Sequence, residues 1–346
     1  MVTRSPREIR VFRLKNREMR ERDIAAVLGI SEAAVVAADV GISATRIDAS
    51  AVKLLERAAE LGEVMVLSRN ESAVHEKIGV FENITIGERN AIVLGENIDL
   101  RVFPSHWAYA FAVSKGDPGA ERYSLQYFDA SGTAVHKIHL RTASNFYAYQ
   151  RIVAELMLPD QSQEFVPIPV GTESHDHGDV AREELRDSWA KLTDTHEFFG
   201  MLRRLKISRQ TAIRTVGDDY ATKLDNAATI EMLRACAASA LPIMCFVAND
   251  GIIQIHSGAV FNVEATGSWI NISDPTFHLH LRHDHICETW VVRKPTKEGH
   301  VTSVEVYDAN GNMVIQFFGK RKEGVDERKE WREISERLPR HRSAAA

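Results

Sequence analysis

Tyr127-Phe128-Asp129-Ala130-Ser131-Gly132 returns 179 positions later as Val306-Tyr307-Asp308-Ala309-Asn310-Gly311. Both stretches pass from aromatic and β-branched residues into Gly-containing punctuation, the mark of a strand entering a turn. Outward from this pair the two halves stay in register. Gly29-Ile30-Ser31 meets Lys206-Ile207-Ser208, and Arg46-Ile47-Asp48 meets Lys223-Leu224-Asp225, each at an offset of 177. Val64-Met65 meets Ile243-Met244, and Val74-His75 with Val80-Phe81 meets Ile255-His256 with Val260-Phe261. A drift of a few residues is what small loop insertions leave in a duplicated domain. Shared positions report the scaffold; function is sought where the copies disagree.

Each half begins with helical periodicity and ends in strands. Ile24, Val27 and Leu28 share a helix face before Gly29, and 49–61 reads as another helix. Strands are predicted at 64–68, 73–79, 92–94, 99–103, 107–113, 124–128 and 135–139, as an antiparallel meander covered by a helix over 145–158. The second half repeats the plan, with helices over 181–204, 208–216 and 227–240, strands within 243–318, and a charged helix over 327–338 followed by a frayed tail. Helices in one block and strands in the next predict an α+β fold, an internal duplication with a large antiparallel sheet in each repeat. The expected boundaries are 1–158, a Pro- and Gly-containing linker at 159–180, and 181–346.

A chain of 346 residues can hold two such domains, each with its own core. A net charge of −5 gives no bulk attraction to nucleic acid or anionic membrane. No apolar run approaches membrane-spanning length and the first twenty residues lack a signal-peptide core, so a cytoplasmic protein without membrane insertion is expected. Cys236, Cys245 and Cys287 lack CxxC spacing and read as buried thiols in a reducing compartment.

Several constellations carry chemistry. In Thr193-Asp194-Thr195-His196-Glu197-Phe198-Phe199-Gly200, Asp194 and Glu197 make a capping-box-like start that places His196 in a first helical turn. The positive end of a helix favours a neutral imidazole, whose nitrogen can bind a metal. Gly200, one turn on, leaves room for something flat. The plainer reading is a partly exposed first-turn histidine. The first copy has Met19 at this position, so His196 is a specialisation of the second.

Arg101 and Phe103, two apart on a strand, share a face. An arginine there signals a buried anion or a polar ligand edge, or else an edge side chain reaching to water. The run His278, His280, His283 and His285 includes an i, i+2 pair suited to transition metals, but no Asp, Glu or Cys at fixed spacing completes a set. His175-Asp176-His177 reads as solvated linker. Residues 22–38 resemble a helix-turn-helix, a weak pointer to a DNA-binding regulator, because 32–38 carries almost nothing able to read bases. Arg209, Lys294, Gln316 and Arg321 gain significance only beside a ligand with carboxylates.

Taken together, these motifs resemble the HemS/ChuS/HmuS family of bacterial cytoplasmic haem-handling proteins over about residues 7–338. The resemblance is carried by Arg69-Asn70-Glu71 through Val74-His75-Glu76-Lys77, by Asp99-Leu100-Arg101-Val102-Phe103 and by the His196 segment. It extends through Trp290-Val291-Val292-Arg293-Lys294-Pro295-Thr296 and Gln316-Phe317-Phe318-Gly319-Lys320-Arg321. It implies haem b as ligand and His196 as proximal iron ligand, with Arg101 on the other haem face and Phe103 beside it. Arg209, Lys294, Gln316 and Arg321 would surround the propionates or the pocket mouth, with Met244 and Phe317 among the apolar walls. His75 matches a possible second haem position, and His283 and His285 are additional candidate ligands. The implied function is to receive imported haem and traffic it or release its iron, by oxygenase-like breakdown if the protein is an enzyme. A haem importer and a haem oxygenase are the implied partners.

Overall fold

In the computed structural model of the chain, which describes residues 4–117, 119–168, 180–321 and 326–341, the twice-written turn closes two equivalent hairpins. The Asp129 carbonyl accepts from the Gly132 N–H (3.0 Å) and its carboxylate from the Thr133 N–H (2.9 Å). Asp308 does the same with Gly311 (3.1 Å) and Asn312 (2.8 Å). Gly132 and Gly311 have φ of 82° and 81°, the left-handed region that glycine enters without strain. One step earlier the strand register slips in both copies, at Tyr127/Phe128 and at Val306/Tyr307, a conserved bulge within the duplication.

The chain forms two compact units, and each follows the same element order. Among the described residues, the first comprises 4–69, 75–168 and 248–254. It opens with helices α1 (Pro6–Lys15), α2 (Glu21–Leu28) and α3 (Glu32–Ala37), then β1 (Ala44–Ile47) and α4 (Ala51–Ala58) with a 3-10 turn at Ala59–Leu61. Strands β2 (Gly62–Arg69), β3 (Ala73–Gly79), β4 (Ile84–Ile86), β5 (Ala91–Leu94), β6 (Asp99–Val102), β7 (Tyr109–Lys115), β8 (Arg122–Phe128) and β9 (Ala134–Ser144) follow, and α5 (Phe146–Leu156) ends the repeat. The order across the main sheet is β1-β7-β8-β9-β2-β3. The expected meander is realised as two shorter ones, β4-β5-β6 and β7-β8-β9, because β2 pairs beyond β9. Leu54, Leu55, Tyr149 and Ile152 from α4 and α5 pack with Val64, Leu125, Tyr127 and Ile138 of the sheet. Ala33, Val36 and Ala37 of α3 join Phe111, Val113 and Phe128 in a separate cluster.

The second unit, 70–74, 180–247 and 255–341 less the undescribed 322–325, repeats the plan. Its helices are α6 (Arg182–Ala190), α7 (Glu197–Leu205), α8 (Arg209–Val216), α9 (Ala228–Ala238) and α10 (Lys329–Arg337). Its strands are β10 (Ala221–Leu224), β11 (Ile243–Asn249), β12 (Ile252–Gly258), β13 (Val263–Thr266), β14 (Trp269–Ser273), β15 (Phe277–Arg282), β16 (Glu288–Thr296), β17 (Gly299–Tyr307) and β18 (Met313–Gly319). The sheet order β10-β16-β17-β18-β11-β12 copies that of the first unit.

Several expectations are corrected. The helix read over 181–204 is two helices, broken at 191–196, and β1, β4 and β10 are strands too short for periodicity to reveal. The Asn70 carboxamide accepts from the N–H groups of Ser72 and Ala73, and Asn249 accepts likewise from Gly251 and Ile252. His75 therefore matches Gln254, two residues before the His256 that sequence matching gave. Cys236 and Cys245 are buried, but Cys287 is exposed just ahead of β16.

The expected linker is not loose where it is described. Arg46 donates to the Ser162 carbonyl (2.7 Å), and Phe165 meets the Tyr109 ring edge-on at 4.7 Å. Residues 169–179, including His175-Asp176-His177, lie outside the described residues. The tail after α10 is tied down at first: the Asp225 N–H donates to the Pro339 carbonyl (2.9 Å) and that of His341 to Lys223 (3.2 Å). Residues 342–346 lie outside the described residues.

The helix that a DNA-binding regulator would set in the major groove is α3. Glu32, Ala33, Val35, Val36 and Ala37 are all buried, and Glu32 is paired with Lys137 and Arg69, so this helix has no face for bases. Among the described residues no helix is long and apolar enough to cross a membrane.

Candidate functional site

Strand pairing in the second unit sorts its side chains between two faces. Trp290 opposes Glu305, Glu305 opposes Gln316, Phe246 opposes Gln316, and Met244 opposes Phe318. These residues share one face. Cys245 opposes Phe317 on the other face, where Phe317 is fully buried in the core that includes Met232, Cys236 and Trp331 of α9 and α10. Phe317 is thus a core residue, and the aromatic beside half-buried Met244 is Phe318, 5.2 Å from Phe246.

Glu305 has no exposed side-chain surface, and five residues converge on it. Arg209 donates through Nε to Oε2 (2.8 Å) and through Nη2 to Oε1 (2.6 Å). Lys294 (2.8 Å), Ser303 (2.7 Å) and Gln316 (2.8 Å) donate to Oε1, and the Tyr307 hydroxyl to Oε2 (2.7 Å). Burial alone would raise this carboxyl, but the charges of Arg209 and Lys294 hold it well below the ordinary range. Burial lowers Lys294 to about 8, against the opposing pull of Glu305. Three of the residues expected around haem propionates therefore already share an internal carboxylate. Two of them, Lys294 and Gln316, are buried away from any mouth.

The helix α7 lies over this network. Phe198, Met201, Leu202 and Leu205 form its buried stripe, while Phe199, Gly200 and Arg203 face outward. Arg209 stands over the rings of Phe198 (5.0 Å) and Phe199 (5.6 Å), and Lys294 over Phe198 (4.9 Å). A depression of about 640 Å³ is lined by Phe199, Arg203, Lys206, Ser208 and Arg209 among others. A side chain added at Gly200 would meet nothing within 4 Å, so that flank of the helix is open.

His196 is the residue before α7, not a member of its first turn, because the chain reaches the helix through a turn at 194–197. Glu197 folds back to accept from the Thr193 N–H (2.8 Å) and the Asp194 N–H (3.3 Å). Asp194 Oδ1 accepts from the His196 N–H (2.7 Å) and lies 2.6 Å from its Nδ1. A carboxylate can only accept, so Nδ1 is the donor in this contact, and Nε2 is the ring nitrogen left for a metal. The His196 side chain is 88% exposed, which leaves Nε2 open to a ligand. Asp194 is held below the usual carboxylate range, first by the His196 N–H and, after a smaller opposing effect of burial, by the His196 ring and the Arg321 charge. Arg321 is half-exposed and belongs to this neighbourhood.

The remaining candidates make other contacts, each within its own unit. Arg101 on β6 forms an ion pair with Asp99, the strand neighbour on its own face, and donates to the Leu100 carbonyl (3.1 Å). That strand ends at Val102, so Phe103 leaves the alternation that would set it beside Arg101; its N–H donates to the Gly251 carbonyl (3.0 Å). His75 is fully buried in β3, with Nδ1 2.9 Å from the Gln254 carboxamide. A second haem there would require β3 to open. His280 Nδ1 lies 2.7 Å from Asn271 Oδ1, and His278 sits two residues earlier on the same strand. His283 Nε2 is bonded to the Gly267 carbonyl (2.9 Å), and His285 Nδ1 is 3.0 Å from the Ser72 hydroxyl. No group of three potential metal ligands occurs among the described residues.

Sequence reading missed Glu305 as the hub and Asp194 as the partner of the His196 ring. It also passed over Arg203 and Lys206 as cations lining the depression beside α7, although Arg203 lies seven residues after His196, at helical spacing.

The arrangement resembles known proteins throughout. The profile described as "Haemin-degrading HemS.ChuX domain" matches residues 29–156 and 206–338, once per repeat, and His196 falls between the two segments. The haemin transport protein HmuS of Yersinia pestis is 36% identical over 319 residues, 92% of either chain. PhuS, a haem-binding protein of Pseudomonas aeruginosa, superposes in its holo structure with a TM-score of 0.94 at 37% identity, covering 98% of this chain and 100% of that one. The haem degrading enzyme ChuS of Escherichia coli O157:H7 follows at 0.88 and 32%, over 95% and 96%. This chain belongs to the HemS/ChuX family of haemin-degrading domains.

Proposed function

We propose that the chain binds haem b, receiving imported haem in the cytoplasm and passing it on or releasing its iron by oxidative breakdown of the macrocycle. The observation that carries this reading is the His196–Asp194 pair: an exposed imidazole whose Nδ1 is held by a carboxylate while Nε2 faces outward. Ligating histidines adopt this arrangement, with a second group fixing tautomer and ring orientation. The exposed ring of Phe199 and the open flank at Gly200 suit a flat apolar macrocycle, and Arg203, Lys206 and Arg321 suit its two carboxylates, while Arg209 lines the same depression with its charge already answered by Glu305. Met244 and Phe318 are the proposed sheet-side wall. Arg101, with Phe103, is the proposed distal group. A guanidinium cannot ligate iron but can hydrogen-bond what does. Met19 stands where a second proximal histidine would be, so one tight haem per chain is the expected stoichiometry.

The proposed partners are an importer that hands over haem and a haem oxygenase that receives it. Haemin titration tests the reading: saturation near one equivalent supports it, and two indistinguishable tight sites contradict it. Adding a reductant and O₂ to the complex separates the two fates, a biliverdin-type pigment indicating an enzyme and intact haem a carrier.

A further inference from the structure

Phe199 is an oddity of α7, a phenylalanine left 59% exposed on a helix whose apolar stripe lies on the opposite side. Its ring is not unsupported. The Arg209 guanidinium stands 5.6 Å from the ring centroid and is itself fixed by two hydrogen bonds to the buried carboxylate of Glu305. A guanidinium clamped this way cannot swing into solvent, so it holds the aromatic face it covers. Three residues joined by two contacts, Glu305, Arg209 and Phe199, thus run from the sheet to the helix face one turn beyond His196.

The duplication supplies an internal comparison. The first repeat has Met19 for His196, Arg22 for Phe199, Glu32 for Arg209 and Gln126 for Glu305. Serine caps precede both Glu32 and Arg209, and Gln126 opposes Lys137 as Glu305 opposes Gln316, so the last two equivalences are structural as well as sequential. The repeat that lacks the histidine lacks every link of the chain as well.

We infer that Glu305 is a positioning residue for the His196 site, acting through Arg209 on the ring of Phe199, which forms one wall of that site. This rests on the haem reading above. Loss of Arg209 lets the Phe199 ring reorient, while Glu305 keeps Lys294 as counter-ion and the fold survives.

The test is a double-mutant cycle on haemin-loaded protein, following release to excess apomyoglobin. Arg209→Met should raise the release rate about fivefold, the scale of one cation–π contact. Phe199→Ala should raise it at least as much, and adding Arg209→Met to Phe199→Ala should change it by less than about twofold. Ser303→Ala removes a different hydrogen bond from Glu305 without touching Arg209 or Phe199; it should lower the melting temperature and leave release unchanged. Additive effects of Arg209→Met and Phe199→Ala, or no effect of Arg209→Met, would overturn the inference while the haem reading stood. A His196→Ala protein with wild-type spectrum and release would instead remove the haem reading at this site, and this inference with it.

Discussion

Glu32 and Arg209 occupy the same place in the two repeats, the first residue of a serine-capped helix, and carry opposite charges. Each is answered from its own sheet. Glu32 is paired with Lys137 and Arg69, and Arg209 with Glu305. The duplication has kept a buried ion pair between helix and sheet while exchanging which element bears the carboxylate. In the second copy the arrangement leaves an arginine beside the aromatic face of α7.

Glu32→Ala should destabilise the protein by about 3–5 kcal/mol, since Arg69 and Lys137 would be left buried without their counter-ion. Burial would raise the Glu32 carboxyl, but Lys137 and Arg69 bring it down to about 2 from an ordinary 4.5. Its folded value is depressed, so its contribution is present above about 4.5 and is lost as pH falls toward about 2. Denaturant unfolding across that window should show a steeper acid loss in wild type than in Glu32→Gln.

Asp194→Asn should weaken haem binding about 10–100-fold, the usual effect of losing the partner of a ligating histidine. The pair is exposed, so unfolding midpoints should barely move. Unchanged affinity would show that Asp194 serves only the turn before α7.

Phe317→Ala should cost about 3–5 kcal/mol of stability as a core truncation. Phe318→Ala, on the half-buried face with Met244, should cost less and should speed haem release. The reverse pattern would mean that the assignment of the two sheet faces is wrong.

Arg101→Ala should leave haem bound but shift the acid–alkaline transition of the ferric complex and slow any peroxide-driven breakdown, because the distal hydrogen bond is lost. If both are unchanged, Arg101 only neutralises Asp99.

The duplication was legible because turns and caps are written in few residues: Asp129 and Gly132, Asp308 and Gly311, Ser31 and Ser208 recur at nearly constant spacing. Most helix and strand positions followed from apolar period. The break before α7 did not, because Thr193, Asp194 and Glu197 suit a helix start and a tight turn equally. Glu305 was hidden for a different reason. Within Val304-Glu305-Val306 it reads as an ordinary alternating strand, and only the side chains brought over its face reveal a buried carboxylate. Arg209, Lys294 and Gln316 were singled out by resemblance, but their common partner lies 96, 11 and 11 residues away, beyond local pattern.

The most direct measurement is the absorption spectrum of haemin bound to His196→Ala, in a background where His283 and His285 are also replaced by alanine. Haemin should still bind through burial and charge, but with a displaced Soret band and faster release, while Met19→Ala in the same background keeps the parent spectrum. A His196→Ala protein with the parent Soret position and release rate would contradict the proximal assignment.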